Sequence, residues 1–160
     1  MIKFFIACTF VFFGFVAQSQ IPKWKITDVE KYISPSNGDV IVVNMWATFC
    51  KPCVAELPFF IRITNQYKKS NVKLLLVSLD LPSFYPRKIA AFATKHKFNS
   101  NIVWLNETNA DYFCPRIDKT WSGSIPATLM VNTKTGYRKF IEEEMTAAVF
   151  EKELQAAIKG

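Results

Sequence analysis

The feature of this sequence that most constrains its fold is a cysteine pair at the junction of an apolar strand and an amphipathic helix. Residues 40–45 form an apolar run with the length and β-branched content of a buried strand. Cys50 and Cys53 follow, and apolar residues then recur at helical spacing over residues 54–67. Two cysteines at this spacing either close a small disulfide ring or hold a metal ion. The flanking segments place them where a strand leads into a helix.

Cys50 is predicted to be the attacking nucleophile because it lies at the N-terminus of this helix. The free N–H groups and the dipole at a helix N-terminus favour an anion, and Lys51 adds positive charge, so the thiolate is stabilised. The pKa of such thiols falls from about 8.5 to between roughly 3.5 and 7.5. Cys53 lies one helical turn further along, so we expect it to be more buried and to resolve the mixed disulfide.

Two motifs together carry a family resemblance. The run W-A-T-F-C-K-P-C over residues 46–53 resembles the active-site segment of the thioredoxin superfamily, and its continuation V-A-E-L-P resembles the TlpA/ResA branch of thiol-disulfide oxidoreductases. The run G-S-I-P-A-T-L-M-V over residues 123–131 is similar to the loop and strand whose proline is cis in that family. The resemblance covers about residues 24–159. It implies a thioredoxin-like fold and a redox-active disulfide between Cys50 and Cys53.

The resemblance also implies partners. It indicates a reductase that exchanges with protein thiols and disulfides, receives electrons from a membrane donor protein, and has cytochrome c precursors as a candidate substrate. No organic cofactor is expected, since the dithiol itself carries two electrons. We expect a monomer. The residues themselves name neither the substrate nor the direction of electron flow, because the Lys-Pro dipeptide bears on the reduction potential without fixing it.

Glu56 is the predicted proton acceptor of the site. It completes the pattern C-x-x-C-x-x-E, in which the resemblance implies that the glutamate tunes the cysteines and moves protons. The alternative is an exposed acid that the helix dipole favours near the helix N-terminus. Asn44 favours the functional interpretation: thioredoxins proper carry an aspartate at this place as their buried acid, and an amide cannot replace it.

Three residues are predicted to contact a substrate. A cis bond before Pro126, which the resemblance implies against the general preference for trans, would turn the Ile125 backbone towards the cysteine pair. An extended substrate segment could then pair with Ile125 like a strand. Trp46 is predicted to shield one side of the pair and to offer a substrate an apolar contact, with plain core packing as the alternative.

A metal-binding module is the competing hypothesis. Cys50, Cys53, Cys114 and His96 suffice in number for a closed zinc site, with copper carriage as a variant. The proline between the first two cysteines and the lack of a second close ligand pair count against it. Otherwise Cys114 is expected to be a buried, inert thiol and His96 to lie at the edge of the core. Peroxidase chemistry is disfavoured because its P-x-x-x-T-x-x-C pattern is absent.

Residues 1–19 are predicted to be a secretory signal peptide, and residues 20–160 one thioredoxin-like domain. Lys3 precedes about 13 apolar residues, fewer than the roughly 20 that span a bilayer, and cleavage is expected near Ser19. We therefore expect an exported, periplasmic protein, with membrane association left open. Cleavage would lower the net charge from +7 to +6. The excess is scattered, with no aromatic-interleaved basic stripe, which argues against nucleic-acid binding.

The remaining pattern predicts an α/β fold with a mixed parallel and antiparallel sheet covered by helices on both faces. A capping box from Thr27 to Glu30 predicts a helix ending near Ile33. Pro58 is expected to kink the helix that follows the cysteines. Further along the chain, the predicted elements are strand 72–79, a helix opening at Pro86, strand 102–104, a short helix and loop over 106–117, a hairpin of 127–131 with 137–141, and a helix over 146–159.

Overall fold

A computed structural model describes residues 20–34 and 39–160, so the predicted signal peptide lies outside the described residues. The strands are β1 (Lys23–Trp24), β2 (Val40–Trp46), β3 (Val72–Ser78), β4 (Asn101–Leu105), β5 (Ala127–Asn132) and β6 (Tyr137–Ile141). The α-helices are α1 (Ile26–Ile33), α2 (Lys51–Gln66), α3 (Arg87–Lys95), α4 (Ala110–Ile117) and α5 (Ala147–Lys159). Short 3₁₀ turns lie at Lys68–Ser70 and Pro82–Phe84.

The six strands form one mixed sheet in the order β1-β4-β3-β2-β5-β6. The first four are mutually parallel, whereas β5 runs antiparallel to β2 and β6 antiparallel to β5. Residues of α2, α3 and α5 pack in one apolar cluster, and residues of α1 and α4 pack in another. The predicted mixed sheet with helices on both faces is therefore confirmed.

Strand β2 is buried on both faces, which explains its continuous apolar sequence. Val42 and Trp46 belong to the cluster with α2 and α5, while Val43 and Met45 belong to the opposite cluster. The carboxyl end of this central strand leads directly to the cysteine pair. Open α/β sheets bind their ligands at that edge.

Helix α2 runs through Pro58 as one element of 16 residues. It packs against α5 through a stacked pair of rings, Phe60 and Phe150, whose centroids are 3.8 Å apart. Thr146 caps α5, because its hydroxyl accepts the Val149 N–H at 3.3 Å. The stacking of Phe60 on Phe150 holds the start of α5 close to the active-site helix α2.

Some local predictions were wrong. The predicted capping box does not form: α1 begins at Ile26, and the Asp28 carboxylate accepts the Lys25 N–H at 2.9 Å. The two-residue strand β1 was not anticipated, whereas the predicted short helix and loop over residues 106–117 is confirmed, with α4 as the helix. No helix among the described residues has the length and hydrophobicity to span a membrane.

Candidate active site

Cys50 and Cys53 form a disulfide at the N-terminus of α2. Cys50 is the N-cap residue, and its Sγ accepts the Cys53 N–H at 3.3 Å. Cys50 is 8% exposed and Cys53 is 0% exposed, so of the two residues only Cys50 is open to an outside molecule. This burial difference agrees with the order of attack that the sequence position predicts.

Asp80 anchors the segment that leads into Cys50. Its buried carboxylate accepts the Thr48 hydroxyl at 2.6 Å, the Thr48 N–H at 3.1 Å and the Ser78 hydroxyl at 2.8 Å. The Trp104 indole N–H donates to the Asp80 carbonyl at 2.7 Å. Asp80 was not among the residues predicted to belong to the site. An acid directly after a buried strand was the signal that could have identified it.

The loop before β5 lies beside the disulfide. The Ile125–Pro126 peptide is cis, as the resemblance implies, and the Ile125 carbonyl oxygen lies 3.8 Å from Cys50 Sγ. Within the described part of the chain, the Ile125 N–H donates to no acceptor. Because Ile125 is also only partly buried, its backbone remains available to an extended polypeptide.

Glu142, which follows β6, holds this loop in place. Its carboxylate accepts the Ser122 N–H at 3.1 Å and the Ser124 N–H at 3.0 Å, as well as the Ser122 hydroxyl. On the other side, the Trp121 indole N–H donates to the Ser124 carbonyl at 2.8 Å. No sequence pattern indicates this contact, because 18 to 20 residues separate Glu142 from its partners.

Glu56 is fully buried, so the alternative of an exposed helix acid was wrong. Its Oε1 accepts the Asn44 amide at 2.9 Å, and its Oε2 accepts the Met145 N–H at 3.2 Å. Burial raises the pKa of Glu56 from 4.5 to about 7; the hydrogen bonds from Met145 and Asn44 lower it, while the Glu144 carboxylate adds to the rise. Spacing of three residues places Glu56 on the same side of α2 as Cys53.

Trp46 does not offer a surface to a substrate, which corrects the prediction made for it. Its ring is 0% exposed and packs against Phe92 and Phe98, with centroids 6.1 and 5.8 Å away. The exposed apolar side chains near the pair are instead Phe49, at 61%, and Leu81, at 60%. Phe49 directly precedes Cys50, and the Thr48–Asp80 hydrogen bonds bring Leu81 to the same edge. The pattern of apolar residues in the sequence does not indicate which apolar side chain near a loop is exposed to solvent.

The structure does not bring the four residues of the metal hypothesis together. His96 is exposed at the end of α3, where its ring stacks on Phe92 at 4.2 Å. Cys114 is buried in α4; a Cβ on Gly123 would lie 3.7 Å from its sulfur. Burial raises the pKa of Cys114 to about 11, as expected for an inert thiol. Across residues 20–34 and 39–160, no three His, Cys, Asp or Glu side chains are grouped to hold a metal.

Comparison with known proteins identifies the family and the fold of this chain. Residues 16–136 match the AhpC/TSA family. The chain is 26% identical to the thiol-disulfide oxidoreductase ResA of Geobacillus kaustophilus over 141 residues, which is 86% of this chain and 76% of that protein. A thioredoxin-related protein from Neisseria meningitidis serogroup B superposes with a TM-score of 0.62 at 29% identity, covering 78% of this chain and 85% of that one. StoA from Bacillus subtilis gives 0.54 at 25% identity, over 74% and 84%. The thioredoxin-like fold is therefore confirmed.

Proposed function

The chain belongs to the AhpC/TSA family, and from this membership we propose that its Cys50–Cys53 dithiol works as an exported reductase of protein disulfides. Thiol–disulfide oxidoreductase activity is the function that its relatives share. The observation that carries the finer proposal is a disulfide with one reachable sulfur and a buried glutamate behind the other. This arrangement gives the attack on the substrate to Cys50 and the completion of the exchange to Cys53 and Glu56.

The first step belongs to Cys50 in the reduced protein. Its thiolate attacks one sulfur of a substrate disulfide; the new S–S bond forms as the substrate bond breaks, and one substrate thiolate leaves. The substrate lies across the Ile125 backbone, whose carbonyl faces Cys50 and whose N–H is unpaired within the described residues. Strand-like pairing there would hold the mixed disulfide in line.

The second step belongs to Cys53 and Glu56. Cys53 gives its proton to the Glu56 carboxylate and attacks the Cys50 sulfur, which releases the second substrate thiolate and closes the disulfide. Two electrons have then passed to the substrate. A carboxyl that titrates near pH 7 suits this role, because it can accept and return a proton at neutral pH.

The charge beside the pair supports the proposed direction of electron flow. Strong dithiol oxidants owe their potential to a stabilised reduced form. Here an ionised Glu56, on the same side of α2 as Cys53, would disfavour a Cys53 thiolate. This opposes the stabilisation of the Cys50 thiolate at the helix N-terminus and supports a stable disulfide. This favours a reductase that a membrane donor protein must reduce again after each turnover.

The substrate and the location complete the proposal. A C-x-x-C-H segment of a cytochrome c precursor is the substrate class that the family resemblance indicates. The predicted signal at residues 1–19 would deliver the protein to the periplasm as residues 20–160. N-terminal sequencing of the protein from the exporting cell tests this, with a start at or next to Gln20 expected and retention of Met1 as the contrary result.

The deciding experiment is the reduction potential of residues 20–160 carrying Cys114→Ser, measured by equilibration in thiol/disulfide buffers with readout by mass. A two-electron couple near or below about −250 mV supports the reductase, whereas one near about −120 mV would make the protein an oxidant. Turnover of an oxidised C-x-x-C-H peptide, compared with a peptide of scrambled sequence, tests the substrate class.

A further inference from the structure

We propose that Asn44, held by Thr128, is a positioning residue that sets the protonation of Glu56. The two residues face each other across β2 and β5, where Asn44 pairs in register with Thr128. The functional importance of this arrangement rests on the proposed proton transfer by Glu56. The structural relation between the three side chains does not depend on that role.

The contacts form a closed polar group inside the apolar core. The Asn44 amide nitrogen donates to Glu56 Oε1 at 2.9 Å and to Thr128 Oγ1 at 3.0 Å. All three side chains are 0% exposed. Asn44 therefore donates both of its side-chain N–H groups to oxygen acceptors, one on α2 and one on β5. Water has no access to replace either bond.

The surroundings of the Asn44 side-chain oxygen indicate which form of Glu56 this amide orientation favours. Asn44 Oδ1 is buried and has no hydrogen-bond partner among the described residues. An unpaired buried oxygen is costly. Turning the amide around would instead place Oδ1 against the Glu56 carboxylate and leave the N–H groups unpaired. The observed arrangement thus favours the ionised form of Glu56, and Thr128 helps to retain it by accepting the second N–H.

The remaining groups around Glu56 act from other elements. The Met145 N–H, just before α5, also favours the carboxylate, whereas Glu144 repels it and burial in the core disfavours it more strongly. Cys53 lies one turn earlier on α2. Within the described part of the chain, Asn44 is the only side chain that donates to Glu56. Without the Asn44 amide, the Met145 N–H would be the only hydrogen bond that lowers the pKa of Glu56 against the effect of burial.

The test is an NMR titration of the Glu56 side-chain carboxyl carbon in oxidised residues 20–160. In Asn44→Leu, we expect the titration midpoint to rise by about one pH unit or more, a tenfold change in the ionised fraction, because a hydrogen bond to a charged group is lost. Asn132→Leu is the matched control. Asn132 is also buried, but its amide donates to the Ala157 carbonyl at 2.8 Å and not to Glu56, so the midpoint should stay in place.

A second pair of variants tests the part played by Thr128. Thr128→Val should raise the midpoint, and Thr128→Ser, which keeps the hydroxyl, should restore it. A folded Asn44→Leu protein with an unchanged midpoint would overturn the proposal. If Asn44→Leu does not fold, an unchanged midpoint in Thr128→Val overturns it instead.

Exchange kinetics separate this inference from the proposed function. The pH profile of the exchange rate should move with the NMR midpoint in Asn44→Leu. If the midpoint moves and the profile does not, Asn44 still sets the protonation of Glu56, but Glu56 does not carry the proton of Cys53. The NMR measurement remains decisive for Asn44 even in a protein without a reversible dithiol couple.

Discussion

At the scale of single residues, Glu56 shows what it costs to keep an acid inside an apolar core. A carboxyl whose pKa is higher in the folded chain than in the unfolded chain destabilises the fold once it ionises. The shift from 4.5 to about 7 corresponds to up to about 3 kcal/mol. Stability therefore does not favour an ionised Glu56, which agrees with the proton transfer proposed for it.

This cost gives a prediction for Glu56→Gln. The stabilisation that protonated Glu56 provides is fully present below pH 4.5 and is lost as the pH rises to about 7. Relative to the variant, the free energy of unfolding of the unmodified protein should therefore fall by up to about 3 kcal/mol across that interval. Urea unfolding at a series of pH values measures the difference. Parallel profiles for the two proteins would contradict the assignment.

Cys114 should be unreactive in the native protein. Its pKa of about 11 leaves roughly one thiol in a thousand ionised at pH 8, and burial blocks access to the rest. Iodoacetamide added at pH 8 to the reduced protein should label Cys50 first, with Cys114 labelled only after unfolding. Peptide mass mapping distinguishes the sites. Early labelling of Cys114 would show that the region around α4 opens.

Single residues also mark the limit of what the sequence can predict. Cys50, Cys53 and Glu56 could be identified because a local motif brings them together. Glu142 could not, since its partners lie 18 to 20 residues away and loop contacts leave no periodic pattern. For Asp80 the position after a buried strand was a signal, but its contact with Thr48, 32 residues away, was not predictable from it. The burial of Trp46 and the exposure of Phe49 depend on side-chain direction, which composition does not determine.

At the scale of elements, the site depends on how loops are tied to strand ends. In Asp80→Ala, the Thr48 N–H and hydroxyl and the Ser78 hydroxyl lose their acceptor. We expect a loss of about 2–4 kcal/mol in the free energy of unfolding, since one buried and two partly buried donors are left unpaired. Denaturant unfolding measures it, with Asp80→Asn as the milder comparison. An unchanged midpoint would mean that this anchor is dispensable.

The packing of α5 on α2 gives a second prediction at this scale. Phe150 is fully buried and stacks on Phe60, so Phe150→Ala should cost about 3–5 kcal/mol. Because Met145 lies just before α5, the variant should also disturb the Met145 hydrogen bond to Glu56. Thermal unfolding gives the first effect, and the amide resonance of Met145 gives the second. A stable variant with an unmoved Met145 resonance would argue against this coupling.

The positions of helices and strands were predictable because burial sets the pattern of apolar residues along the sequence. Strands β2 and β3 and the β5–β6 hairpin are apolar where helices cover the sheet. Ends of elements were less predictable. α1 starts at Ile26 because Asp28, and not Glu30, bonds back to the backbone. Strand β1 has two residues, too few for any pattern, and exists through its pairing with β4.

At the scale of the whole molecule, the described surface carries few large apolar side chains. Those exposed are Phe49, Leu81, Tyr112 and Val149, of which Phe49 directly precedes Cys50. Isolated apolar residues do not drive association, so residues 20–160 should be monomeric in both redox states. Analytical ultracentrifugation of the oxidised and reduced protein tests this. A concentration-dependent dimer in either state would contradict it.

The burial of Cys114 also bears on how the native disulfide is selected. In unfolded residues 20–160, Cys50, Cys53 and Cys114 allow three different pairings. Two of them would join Cys114 to a cysteine that packs in the opposite apolar cluster of the folded protein. Once α4 packs beneath the Gly123 segment, the Cys114 sulfur is enclosed and the wrong pairings have no partner left. The native fold thus disfavours the two pairings that involve Cys114.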